Sequence, residues 1–200
     1  WCRTIVAIGV ASLSFALPQL ASARDTTPMY VAPGTAPDER AALTLSQSVI
    51  DQEISDFTLR ASDGREIRLS SLRGQPLVVS FIYTGCFQAC PTTTRFLAQA
   101  VDKAQRALGS DRFRIASIGF NQPFDGPEAM AAFARQASIH DPRWLFLSPE
   151  PRTVEQLTRE FGFTYYETPK GFDHIAQVTI VDAKGVIYRQ VYGESFELPM

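Results

Sequence analysis

The chain is short of the residues that metal chemistry and charge-driven binding usually draw on. Only two histidines, His140 and His174, occur in 200 residues, so any metal site with an imidazole ligand must use one of them. Charge of one sign is missing too. The 19 Lys and Arg stand against 21 Asp and Glu, a formal net charge of −2, and without a basic field nucleic acid is excluded as a partner. There is no internal repeat and no low-complexity tract. What remains, 45% hydrophobic and 20% charged residues, suits one globular domain with tails.

Cysteine is scarce, and its placement is informative. Residues 1–23 read as a signal peptide or signal anchor: Arg3 is followed by an apolar run from Thr4 to Leu17 and by Ala21-Ser22-Ala23, a small-residue cleavage pattern. The run is shorter than the roughly 20 residues that span a bilayer as a helix, which favours cleavage. The expected location is the periplasm, or the inner membrane facing it. Cys2 would leave with the signal, and Cys86 and Cys90 would be the only pair left. One bridge closing so short a loop stabilises little, so a working dithiol is expected rather than a staple. Residues 24–50, with Pro28, Pro33 and Pro37, read as a linker with a short helical turn over 38–45, able to hold the domain off a membrane. Met29 is read as an ordinary linker residue.

Residues 51–200 read as one domain. The stretch 57–59 predicts a short strand, Ala61-Ser62-Asp63-Gly64 a turn, and 66–69 a returning strand. An apolar strand over 77–83 stops at Thr84-Gly85. Helical spacing of Phe96, Leu97, Ala100, Val101, Ala104 and Leu108 predicts a helix closed by Gly109. A strand over 113–118, a helix opened by Gly126-Pro127-Glu128 with Met130 and Phe133 inward, a strand over 144–147 and a helix capped by Thr153 follow. Two last strands, 175–181 and 186–192, are joined by Asp182-Ala183-Lys184-Gly185. Ser195 would cap a further helix, expected to be cut short. The order predicts an α/β fold, a mixed sheet flanked by helices with an N-terminal β-hairpin. With paired cysteines ending the first long strand, it is similar to the thioredoxin-like fold.

Chemistry is expected at Cys86 and Cys90. A helix N-terminus has unpaired N–H groups and a positive partial charge that favour thiolate. The i, i+4 spacing sets both sulfurs on one face of a turn, and Pro91 has no N–H to lose there. Spacing alone leaves disulfide and metal open. In a thioredoxin-like fold, the residues before the terminal hairpin lie against the cysteines, where redox members carry a cis-proline. This chain has Phe172-Asp173-His174 there. Two sulfurs and a nitrogen suit copper, whereas a zinc site would want a fourth protein ligand.

From about Ile54 onward the sequence resembles the Sco/SenC copper-binding proteins of cytochrome c oxidase assembly. The likeness is carried by Leu72-Arg73-Gly74-Gln75-Pro76, Tyr83-Thr84-Gly85-Cys86, Cys90-Pro91, Asp141-Pro142-Arg143-Trp144 and Asp173-His174. It implies a metallochaperone rather than an enzyme, with one copper ion held by Cys86, Cys90 and His174. The implied partner is the oxidase subunit with a dinuclear copper centre, or another copper enzyme, and some members are thought to reduce that subunit's cysteines. Phe87-Gln88 stands where the family has Pro-Asp, and Asn121 where it has an acidic residue. Asp125 is retained.

Other roles are weighed beside these. A thiol–disulfide oxidoreductase using Cys86 and Cys90 without metal is the alternative function. A thiol peroxidase lacks its Pro-x-x-x-Thr-x-x-Cys arrangement here. Asp173 is expected to orient His174 or cap the strand, and His140 to be solvated. Tyr83, Phe87, Tyr165 and Tyr166 are expected to pack, with Phe87 also a candidate docking residue.

Overall fold

An apolar run bounded by turn residues makes the central strand. In the computed structural model, which describes residue 1, residues 38–86 and residues 89–193, Leu77–Ile82 forms β3, buried along almost its whole length. Such burial on both faces requires neighbours on both edges. On one edge lies β4, Arg114–Gly119, parallel and in register from Leu77 opposite Arg114 to Ile82 opposite Gly119. On the other lies β8, Gln177–Val181, antiparallel.

The sheet grows outward from that core. β5, Trp144–Pro149, adds parallel to β4. The hairpin of β1, Thr58–Ala61, and β2, Glu66–Arg68, adds antiparallel to β5, and β9, Ile187–Tyr192, adds to β8. The order is β2-β1-β5-β4-β3-β8-β9. The strands expected over 57–59, 113–118 and 144–147 and the closing hairpin are all present, with ends that differ by at most two residues. This is the mixed, helix-flanked sheet of a thioredoxin-like domain.

The parallel pairs need crossovers, supplied by α2, Ala89–Leu108, and α3, Pro127–Gln136. Gly109, at φ +103°, ends α2 in the left-handed turn that glycine accepts without strain. The buried stripe of α2 is Cys90, Pro91, Thr94, Leu97 and Val101. Phe96 and Leu108, expected inside, are exposed. Phe96 lies about 100° round the helix from Leu97, and Leu108 is the last helical residue. α3 buries Met130 and Phe133 as expected, and α4, Val154–Glu160, follows a short 3-10 turn. Thr153 precedes α4, but its hydroxyl donates to the Glu150 carbonyl instead of capping.

Two features go beyond the expectations, a second small sheet and the length and packing of the helical turn expected over 38–45. Tyr165–Thr168 (β6) and Gly171–His174 (β7) form a separate two-stranded sheet turned by Pro169-Lys170. The stretch expected to be linker ends in a packed helix, α1, Glu39–Ser48, whose N-cap Asp38 accepts from the Ala41 amide. Ser46, fully buried, donates to Gln177 at 2.8 Å, and Gln47 donates to the Tyr192 hydroxyl at 2.6 Å. Past α1 the chain runs beside β9: the Asp51 amide donates to the Ile187 carbonyl, the Ile187 amide to the Gln52 carbonyl, and Glu53 bridges Val186. These elements belong to one unit, Val31–Met200. Among the described residues no helix is long and apolar enough to cross a membrane. The signal over 1–23, apart from Trp1, and the helix expected after Ser195 lie outside the described residues.

Gly162 is a point of close approach between α1 and the rest of the domain. It has φ +62°, and a Cβ there would sit 2.7 Å from Ser46 Cα. Gly162→Ala adds left-handed strain to overpacking, so it is expected to cost about 1–3 kcal/mol, read as a lower midpoint in urea unfolding.

Candidate functional site: a dithiol facing an aromatic hairpin

The site is built where β3 runs out. After Tyr83 the chain turns through Thr84-Gly85, and the Cys86 amide donates to the Tyr83 carbonyl at 3.2 Å. The turn is pinned from the loop after β4. The Asp125 carboxylate accepts from the Thr84 amide at 2.8 Å and from its hydroxyl at 2.7 Å, and its other oxygen accepts from the Asn121 amide at 2.8 Å. Asp125 is fully buried. Burial raises its pKa above the usual carboxylate range, while the Thr84 and Asn121 donors pull the other way without cancelling it. Gly119 makes room for this carboxylate, since a Cβ there would lie 2.5 Å from Asp125 Cβ.

Cys86 and Cys90 are both free thiols. The Cys90 amide donates to the Cys86 sulfur at 3.2 Å, the helix N-terminus acting on a thiolate as expected. Burial opposes charge on Cys86, but the Cys90 amide, the Cys90 side chain, the Tyr83 hydroxyl and the Ala89 amide outweigh it. The Cys86 thiol sits below its ordinary value. Cys90 behaves oppositely: burial, then the neighbouring Cys86 and Asp125 charges, push it up to about 12. It lines a cavity of about 50 Å³ between α2 and β8, with Thr94 and Gln177 among the walls, room for a water-sized molecule.

His174 ends β7, opposite Tyr165. Its ring packs on Phe163 and Phe120, with centroids 5.3 and 6.0 Å away. Its Nδ1 is 3.0 Å from the Ile175 carbonyl. A carbonyl only accepts, so Nδ1 carries the hydrogen, and in the neutral ring Nε2 is the lone-pair nitrogen. Asp173, expected to orient the ring, is exposed, and the carbonyl does that work instead. The hairpin is held by an aromatic layer: Phe120 against Tyr165 at 4.4 Å, Tyr83 against Phe172 at 5.1 Å, and Phe81 stacked on Phe163 at 4.7 Å.

The two cysteines are thus brought together and His174 is not. Among the described residues no three His, Cys, Asp or Glu side chains converge as a metal-holding group. His140 is exposed ahead of β5, as expected. Phe87 and Gln88 lie outside the described residues, and with them the docking role expected of Phe87. The part of Asp125 as the clamp on the thiol turn went unread. Its only sequence signal is an isolated carboxylate in Asn121-Gln122-Pro123-Phe124-Asp125.

Fold and site define a thioredoxin-like domain with a reactive thiol pair. The SCO1/SenC family model matches residues 46–196, and the chain belongs to that family. It is 26% identical over 127 residues to the SCO1 protein homolog of Bacillus subtilis strain 168, covering 63% of this chain and 65% of that one. The chain spans between 51% and 65% of the length of the curated relatives it matches. Among solved structures, a SCO1/SenC family lipoprotein from Bacillus anthracis is similar at TM-score 0.65 and 19% identity, over 74% of this chain and 89% of the other. Arabidopsis thaliana ScoI, solved with copper bound, is similar at TM-score 0.62 and 20% identity, over 69% and 86%.

Two outcomes follow from the geometry. On the reduced, metal-free chain at pH 8, iodoacetamide is expected to label Cys86 at least about tenfold faster than Cys90, because thiolate fraction outweighs the lower intrinsic nucleophilicity of the more acidic thiol; peptide mass spectrometry reads this. Asp125→Asn sets an amide donor against the Asn121 N–H and is expected to cost about 1–3 kcal/mol at neutral pH. It should also flatten a pH dependence. A raised carboxyl pKa favours the folded state while the group is protonated, and that contribution fades as pH rises from 3.8 through the folded value. Urea unfolding from pH 4 to 8 measures both.

Proposed function

We propose that the chain is a copper metallochaperone. It binds one copper ion through Cys86, Cys90 and His174 and passes it to the dinuclear copper centre of a cytochrome c oxidase subunit, or to another copper enzyme, or reduces the recipient's cysteines first. The observation that supports this best is the pair of free thiols with the Cys90 amide 3.2 Å from the Cys86 sulfur. Soft thiolates with one imidazole suit copper, and the lone pair of His174 Nε2 is available. Asp125, which holds the thiol turn, is a second-rank support and not a ligand.

Copper is cargo in this reading. His174 lies on a small sheet of its own, so a closed site requires the β6–β7 hairpin to bring it toward the sulfurs. The Bacillus anthracis neighbour is a lipoprotein, which supports reading this chain as exported, periplasmic or anchored to the inner membrane and facing the periplasm.

A second reading rests on the asymmetry of the thiols. A partly exposed, acidic Cys86 beside a buried Cys90 near 12 is the layout of an attacking and a resolving thiol, which suits thiol–disulfide exchange without metal. The two readings separate cleanly. Titrated with copper, the reduced chain is expected to bind one equivalent. Cys86→Ser, Cys90→Ser and His174→Ala should each lose it. His174→Ala binding as tightly as wild type, together with undiminished reduction of a protein disulfide, would replace the copper reading with the redox one.

A further inference from the structure

Tyr83 and Gly171 meet more closely than packing requires. Gly171 opens β7 with φ +115°, and a Cβ there would lie 2.5 Å from the Tyr83 hydroxyl and 3.2 Å from Cζ. Only a residue without a side chain lets the hairpin backbone approach the phenol this way. One residue on, the Phe172 amide donates to the same hydroxyl oxygen, a long contact of 3.4 Å, and the Phe172 ring meets the Tyr83 ring edge-on. Tyr83 also opens the dithiol turn, its carbonyl accepting from the Cys86 amide at 3.2 Å, so a hold on its ring side reaches the turn through the chain itself.

The hairpin transmits that hold to His174. Residues two apart on a strand point to the same face, and Phe172 and His174 both set their rings on Phe120, at 5.3 and 6.0 Å. Fixing Phe172 therefore fixes the face that carries the imidazole.

We propose that Tyr83 is a positioning residue: its hydroxyl, seated in the space left by Gly171, ties the His174 hairpin to the Cys86 end of the dithiol turn and sets how the imidazole meets the two sulfurs. The proposal rests on the copper reading. It makes Tyr83 the fixed point about which the hairpin moves.

The test uses the full reduced chain, Cu(II) as probe, and the variants Tyr83→Phe and Gly171→Ala. Tyr83→Phe keeps the ring and removes only the tie. Without metal, hydrogen exchange at the Phe172 amide is expected to speed up about tenfold or more. With copper, affinity should fall about tenfold, and the nitrogen hyperfine pattern in the electron paramagnetic resonance spectrum should change. Gly171→Ala should change that pattern too, and Tyr83→Phe added to it should make matters no worse, because the nearest atom to the new Cβ is then gone. A wild-type nitrogen signal and a Phe172 exchange rate that Tyr83→Phe both leaves unchanged would overturn the positioning role alone. A wild-type spectrum with no nitrogen coupling would overturn the copper reading, and the positioning role with it.

Discussion

A single buried carboxylate fixes the geometry on which the site depends. Asp125 reaches from the loop after β4 to the turn after β3 and takes both the amide and the hydroxyl of Thr84. β3 and β4 are already parallel neighbours in register, so the clamp joins the C-terminal ends of two rigid strands. Strand, turn and helix then leave little freedom for Cys86, and the first turn of α2 presents its amides to the sulfur. The clamp sets Cys86 at the head of α2, partly exposed and acidic, while Cys90 lies inside the helix's buried stripe and is held neutral.

The rest of the site obeys a different logic. The hairpin that carries His174 shares no strand pairing with the main sheet and is held by rings rather than by ladder hydrogen bonds. Aromatic pairs contribute about 0.5–1.5 kcal/mol each and constrain angle loosely compared with a ladder. The dithiol is therefore rigid and the His174 ring adjustable. That division suits the proposed uptake and release of a copper ion.

Much of this was legible in the residues. The alternation of strand and helix, the closing hairpin and the position of the thiols all follow from apolar runs and turn residues. Gly109 and Gly126-Pro127 marked helix limits because their backbone chemistry is local. What escaped was non-local. Phe172-Asp173-His174 read as a loop ahead of a strand, yet Tyr165-Tyr166-Glu167-Thr168 with Pro169-Lys170 carries a strand-and-turn pattern that makes them half of a hairpin. Ser46 and Gln47 look like linker residues until Gln177 and Tyr192, distant in sequence, meet them. The clamp from Asp125 and the fit of Gly171 to Tyr83 depend on tertiary proximity that no spacing encodes.

The segment after α1 has a consequence for how the molecules behave toward one another. β9 is the last strand of its sheet, and an open strand edge is a template for pairing with another copy. Residues 51–54 run along the start of that edge and bond to it at Ile187 and Val186, while α1 lies against Tyr192 farther on. The end of the expected linker and the first residues of the domain thus work together as an edge guard. It occupies backbone groups through which a second copy could otherwise add a strand.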